Sequence, residues 1–205
     1  MTVTDYSEGS IKFCYVFSDE LPDYSYNHPD NEGGFSNHIG DFNFEVNELL
    51  KKGWILHGNT FINDKGRYCQ ALTTTKNSEL IIQECHFWLI NDFMLEGGEE
   101  FSKWISHNLQ MGYNLYGSPF MDNNNMYCQA LVRGSNQFGT PATNYQLLEE
   151  AKPDYALRDI SGELQDGWIL YGNPFVAILD KDEDTETVYY VQALIKNQIN
   201  ISDLK

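Results

Sequence analysis

Positive charge is scarce in this chain. Its 205 residues include 30 acidic but only 13 basic side chains, for a net charge of −17. Contact with a phosphate backbone needs a basic stripe that neutralises several phosphates at once. No segment supplies one, which argues against nucleic acid as a direct ligand. An acidic surface favours solubility, repels membranes and suits a basic partner. Also missing is any run approaching the roughly 20 apolar residues that a membrane-spanning helix requires. The opening residues MTVTDYSEGSIK have neither the basic nor the apolar stretch of a secretory leader. These absences lead to the expectation of a cytoplasmic protein that does not touch membranes.

Reactive groups are sparse as well. The four cysteines, Cys14, Cys69, Cys85 and Cys128, form no C-x-x-C pair, so reduced thiols are expected. The five histidines are His28, His38, His57, His86 and His107, and no two stand at a metal-ligand spacing. Cys85 and His86 are adjacent, which sends their side chains to opposite faces of a strand and spoils them as a metal or thiolate–imidazole pair. No nucleophile elbow, phosphate loop or dinucleotide fingerprint occurs. The expectation is a protein without catalytic residues, metal or cofactor.

What the chain does have is one phrase written three times: GWILHGNTF at 53–61, GYNLYGSPF at 112–120 and GWILYGNPF at 167–175. Leucines at 50, 109 and 164 precede the first glycine by three residues, and Val46, Ile105 and Ile160 precede it by seven. That spacing marks one face of a helix. Gly53, Gly112 and Gly167 then fall where a helix closes in a left-handed turn, a conformation that glycine adopts without steric cost. Beyond them the period becomes two, as in a strand whose Trp/Tyr and Leu residues cover the helix. A turn comes next, and then a second strand: YCQALTT at 68–74, YCQALVR at 127–133 and YVQALIK at 190–196. The third copy has Val191 where the others have Cys69 and Cys128, so those thiols are read as small buried apolar groups.

Each copy also begins with a strand-like stretch, at 11–18, 80–90 and 144–150. The predicted fold is therefore α+β, with three tandem β-α-β-β units at 1–76, 77–135 and 136–205. Each is a helix on a small, mainly antiparallel sheet. The second faces of three such sheets could pack around a pseudo-threefold axis in a monomeric chain. Unit 1 carries an inserted stretch at 19–40, and unit 3 an acidic hairpin insertion at 179–187.

In this arrangement the residues resemble a family of small bacterial and phage domains. Its signature is a helix running into G-W-x-x-x-G-x-P, then a strand with Q-A-L-(V/I)-K. The resemblance covers most of 40–75, 98–133 and 155–196, with Thr60 standing where the other copies have Pro119 and Pro174. It implies the fold, and an origin in bacteria or phage, but no activity.

Two sets of residues are candidates for function. The recurring Gln70, Gln129 and Gln192 are expected on the sheet face away from the helix, together with His57, Tyr116 and Tyr171. There they either join a satisfied buried network or line pockets between units for a planar, nucleotide-like small molecule. The insertion offers Tyr24, Tyr26, His28, Phe35 and His38 among turn-forming residues, which suits a site for a protein partner. Together with the acidic surface, this favours a non-enzymatic protein that binds and modulates another protein, such as a phage counter-defence protein or a bacterial effector. A small-molecule binder is the alternative.

Overall fold

The computed structural model describes residues 2–8, 11–18, 37–75, 85–91, 97–134, 139–182 and 185–197. Unit 1 holds β1 (Thr2–Glu8), β2 (Ile11–Phe17), α1 (Asn37–Lys51), β3 (Ile55–Ile62) and β4 (Tyr68–Thr75). Unit 2 holds β5 (Cys85–Asn91), α2 (Gly98–Gln110), β6 (Asn114–Met121) and β7 (Tyr127–Gly134). Unit 3 holds β8 (Asn144–Glu150), α3 (Pro153–Gln165), β9 (Ile169–Asp182) and β10 (Thr185–Lys196). The α+β class and the three helix-and-sheet units are as expected from the repeats.

Each sheet is antiparallel, and its last strand lies in the middle: β5-β7-β6, β8-β10-β9 and, with one added strand, β1-β2-β4-β3. Strand β1 has no counterpart in the repeats and is not expected from them. It pairs along β2 from Thr2↔Phe17 to Glu8↔Ile11. The acidic insertion of unit 3 lengthens a hairpin. Strands β9 and β10 run to 14 and 12 residues, with pairing up to Asp182↔Thr185, against 8 residues in each counterpart.

The helix ends agree with the sequence. Gly53, Gly112 and Gly167 have φ of 83°, 90° and 85°. The next residue reaches back to close each turn: Trp54 N–H to Leu49 O, Tyr113 N–H to Asn108 O and Trp168 N–H to Glu163 O. These are the six-to-one bonds that satisfy orphan carbonyls at a helix C-terminus.

Packing departs from the expectation in one respect. The repeats lead one to expect the small Cys/Ala face of each last strand under the helix of its own unit, with the glutamine face opposite. Instead α1 packs on the front face of its own sheet, which carries Val16, Tyr68 and Leu72, and also against the back of the next sheet, through Phe87, Leu89, Cys128, Ala130 and Val132. The second core repeats the pattern. Phe101, Ile105 and Leu109 of α2 lie between Leu115, Tyr127 and Leu131 in front and Tyr145, Leu147, Val191 and Ala193 behind. The small side chains do let a helix come close, but it belongs to the preceding unit. Each core is therefore shared by two units, and no unit buries its apolar face alone.

Candidate functional site

The glutamines occupy one structural niche. Opposite each, the ladder slips by a bulge: between His57 and Phe61, between Tyr116 and Phe120, and between Val191 and Ala193. Gly58, Gly117 and Gly172 sit at these bulges with φ of 66°, 64° and 65°, a left-handed conformation that a glycine-type bulge requires. The bulge leaves backbone carbonyls unpaired, and the amides fill the gap. Gln70 Nε2 donates to His57 O and Ala71 O, Gln129 Nε2 to Tyr116 O and Ala130 O, and Gln192 Nε2 to Tyr171 O and Ala193 O, at 2.8–3.2 Å. Thr60, the residue that departs from proline, adds a hydroxyl donated to Gln70 Oε1 at 2.6 Å. All three glutamines are buried.

The side chains of His57, Tyr116 and Tyr171 lie on the other sheet face, because they pair with Ala71, Ala130 and Ala193. The six residues expected to line pockets between units together are thus divided by the sheet. Two of the tyrosines act across the seam between units. Tyr116 donates its hydroxyl to Gly58 O of unit 1 at 2.8 Å, and Tyr171 donates to Gly117 O of unit 2. Burial pushes the Tyr171 phenol well above its ordinary pKa. The seam is close: a Cβ on Gly117 would lie 3.3 Å from Asn59 Cα, and one on Gly172 only 2.9 Å from Pro119 Cδ. The equivalent Cβ on Gly58 would meet nothing within 4 Å.

A second set of seam contacts has no forewarning in the repeats. On α1, Asn43 and Asn47 each grip the outer edge of β5. Asn43 donates to Leu89 O at 3.0 Å and accepts from Leu89 N–H at 2.7 Å, and Asn47 does the same with Phe87 at 2.8 Å. On α2 the same two helix positions hold Ser102 and Ser106. Their hydroxyls accept from Leu147 N–H and Tyr145 N–H of β8 at 2.8 and 2.9 Å. A helix thus satisfies the backbone of an edge strand in the next unit. The signal in the sequence is a polar pair four residues apart on an otherwise apolar face. Tyr68 of unit 1 adds a bond to Asp122 of unit 2 at 2.7 Å, and burial holds its phenol far above the ordinary range.

Unit 3 has the same front face, but nothing among the described residues covers it. Tyr127, Leu109 and Leu115 of unit 2 are 1%, 5% and 0% exposed; their counterparts Tyr190, Leu164 and Leu170 are 41%, 42% and 50% exposed. Leu157 and Val176 extend the patch, both largely exposed. These exposed apolar side chains are the candidate contact surface of the chain. Among the described residues the units therefore form a series with two ends, rather than a ring in which unit 3 closes onto unit 1.

Other features contribute less. A groove of about 770 Å³ lies between α2 and β8, lined in part by Lys103, His107, Gln110, Glu149 and Trp168. None of the six pocket residues expected from the sequence lines it. Lys103 is engaged by Glu100 and Glu99 at 2.7 and 2.9 Å, which holds its ammonium above the ordinary pKa. His86 rests edge-on against Tyr113, and burial, then the charge of Arg133, lowers its pKa. Among the described residues no three His, Cys, Asp or Glu side chains gather as a metal site. No described helix is long and apolar enough to cross a membrane. Cys14, Cys69 and Cys128 are buried, and burial raises the Cys69 thiol to about 11. Of the candidates in the insertion, Tyr24, Tyr26, His28 and Phe35 lie outside the described residues. His38 falls in the first turn of α1, and its side chain is outside them too. No protein-family model, no curated protein and no solved structure matches the chain.

Proposed function

We propose that this is a non-catalytic binding protein that holds a protein partner on the open front of unit 3. The observation that carries the reading is the contrast between units 2 and 3: identical positions are buried in one and exposed in the other. An apolar patch built from Leu164, Leu170, Val176 and Tyr190 is chemistry for another protein surface, because it offers few directional groups to a small polar ligand. The acidic charge of −17 supports a cytoplasmic role that avoids nucleic acid and membranes, and a resemblance to bacterial and phage domains fits a modulator of other proteins. The buried glutamines act as structural parts of the bulges. The test is a double variant, Leu170→Glu with Tyr190→Glu, compared with wild type for partner binding by light scattering or affinity capture. Loss of the complex with an unchanged circular dichroism spectrum supports the reading; an unaffected complex overturns it.

A second reading, a small-molecule binder, has the groove between α2 and β8 in its favour, since Trp168 and His107 supply aromatic walls there. Native mass spectrometry decides between the two. A retained mass of small-molecule size, lost with Trp168→Ala, favours the groove.

A further inference from the structure

We infer that the partner on the open front of unit 3 is the back of unit 1 in a second copy of this chain, so that copies associate head to tail. The inference rests on the proposed docking role of that front and names its occupant. The chain makes this interface twice within itself. In each case the front face and helix of one unit receive the back face of the next, through small residues such as Ala130 and Val132, or Val191 and Ala193. Unit 3 presents the front half once more, exposed.

Unit 1 presents the back half. Its sheet carries Cys69 and Ala71, buried at 0% and 6% exposure, at the positions of Cys128 and Ala130, flanked by Tyr15 and Phe17, whose rings stack 5.8 Å apart, so that the open part of this face lies around Phe61 and Gly58. Phe61 is 42% exposed there, whereas its counterparts Phe120 and Phe175 are packed against the two cores. Gly58 has open space where Gly117 and Gly172 each touch the preceding unit. By the internal pattern that space would receive Asn173 of the next copy, the counterpart of Asn59 and Ser118.

Two departures from the repeat match each other across this junction. The edge of β2 is already paired by β1, so a helix arriving there has no bare backbone to satisfy. Helix α3 has correspondingly lost one of the two residues that would satisfy it: Leu157, 66% exposed, replaces Asn43 and Ser102, while Ser161, at the place of Asn47 and Ser106, donates its hydroxyl to Leu157 O of its own helix. Within the chain, successive hairpin turns meet, a Cβ on Gly66 lying 2.9 Å from Asn123 Nδ2, and across the junction the β9–β10 hairpin would meet the 63–67 turn in the same way. Both ends are different surfaces, so the contact is heterologous and can add copies at either end.

Sedimentation velocity over a concentration series tests this with two one-ended variants. Leu170→Glu with Tyr190→Glu removes the front, and Phe61→Glu removes the back; Gly58→Asn is a second back variant, since asparagine tolerates positive φ and its Cβ has room in the isolated chain. Wild type is expected to grow beyond dimer as concentration rises, and each variant alone to stay monomeric. An equimolar mixture of front and back variants is expected to form a dimer that grows no further. A monomeric wild type overturns the inference, as does a mixture that fails to dimerise. A dimer lost in the front variant but intact in both back variants also overturns it, because it means two fronts face each other. If wild type is monomeric yet the front variant loses a different, identified protein, the docking reading stands and self-association falls.

Discussion

Units 2 and 3 are built from nearly the same residues at the same positions, yet one is covered and the other is not. Leu115 and Tyr127 are buried between α2 and the sheet behind them, while Leu170 and Tyr190 face outward. The difference lies outside the two units themselves. Sheet β8-β10-β9 supplies the cover for unit 2, and among the described residues no sheet does the same for unit 3. A single unit leaves one apolar layer uncovered, so a series of such units keeps an uncovered layer at its end.

Truncating the two equivalent leucines puts this contrast under the most strain. Leu115→Ala is expected to cost about 3 kcal/mol, the range for a buried leucine that leaves a cavity. Leu170→Ala is expected to cost under about 1 kcal/mol in the isolated chain. Urea denaturation of the two variants measures this directly, and equal losses would mean that the front of unit 3 is covered in solution. Asn43→Leu comes next. It leaves Leu89 N–H and C=O buried without a partner, for an expected loss of about 2–4 kcal/mol, whereas the reverse change Leu157→Asn on α3 is expected to be neutral.

A smaller effect separates the seam from the bulge. Gly117→Ala and Gly58→Ala share the left-handed strain of about 1–2 kcal/mol, but only Gly117 touches a preceding unit. An excess loss of about 1 kcal/mol for Gly117→Ala is the expected signature of the seam, read from midpoint shifts at constant m. The mildest probe is pH. Burial raises the phenol pKa of Tyr68, Tyr145 and Tyr171. The folded chain therefore keeps protons that the unfolded chain releases above about pH 10. Stability from this source is intact below that pH and falls as pH rises through it. Absorbance titration should show these three tyrosines ionising only as the fold is lost, so early titration of all tyrosines would contradict the packed seams.

Much of this was legible along the chain. The glycines at 53, 112 and 167 announced helix ends, because left-handed turns leave few other choices. The alternation after them announced strands, and Cys69, Cys128 and Val191 announced a small buried face. The glutamines were legible as a recurring buried feature. Their chemistry, bridging a bulge, was not, and neither was their face: the Tyr/Gln/Leu side of the last strand turns toward the helix of its own unit, while His57, Tyr116 and Tyr171 lie on the other side. Strand β1 was missed because it has no copy to align with. Asn43 and Asn47, or Ser102 and Ser106, looked like ordinary polar helix positions until an edge strand of the next unit lay beside them.

The local elements and their threefold recurrence were written into the sequence, because helix ends, strand periods and bulge glycines depend on neighbours a few residues away. Which helix covers which sheet was settled only by tertiary contacts, and so was the openness of the last front face. Leu109 and Leu164, or Leu115 and Leu170, are the same residue in the same local setting, and their exposure depends on whether another sheet arrives from far along the chain.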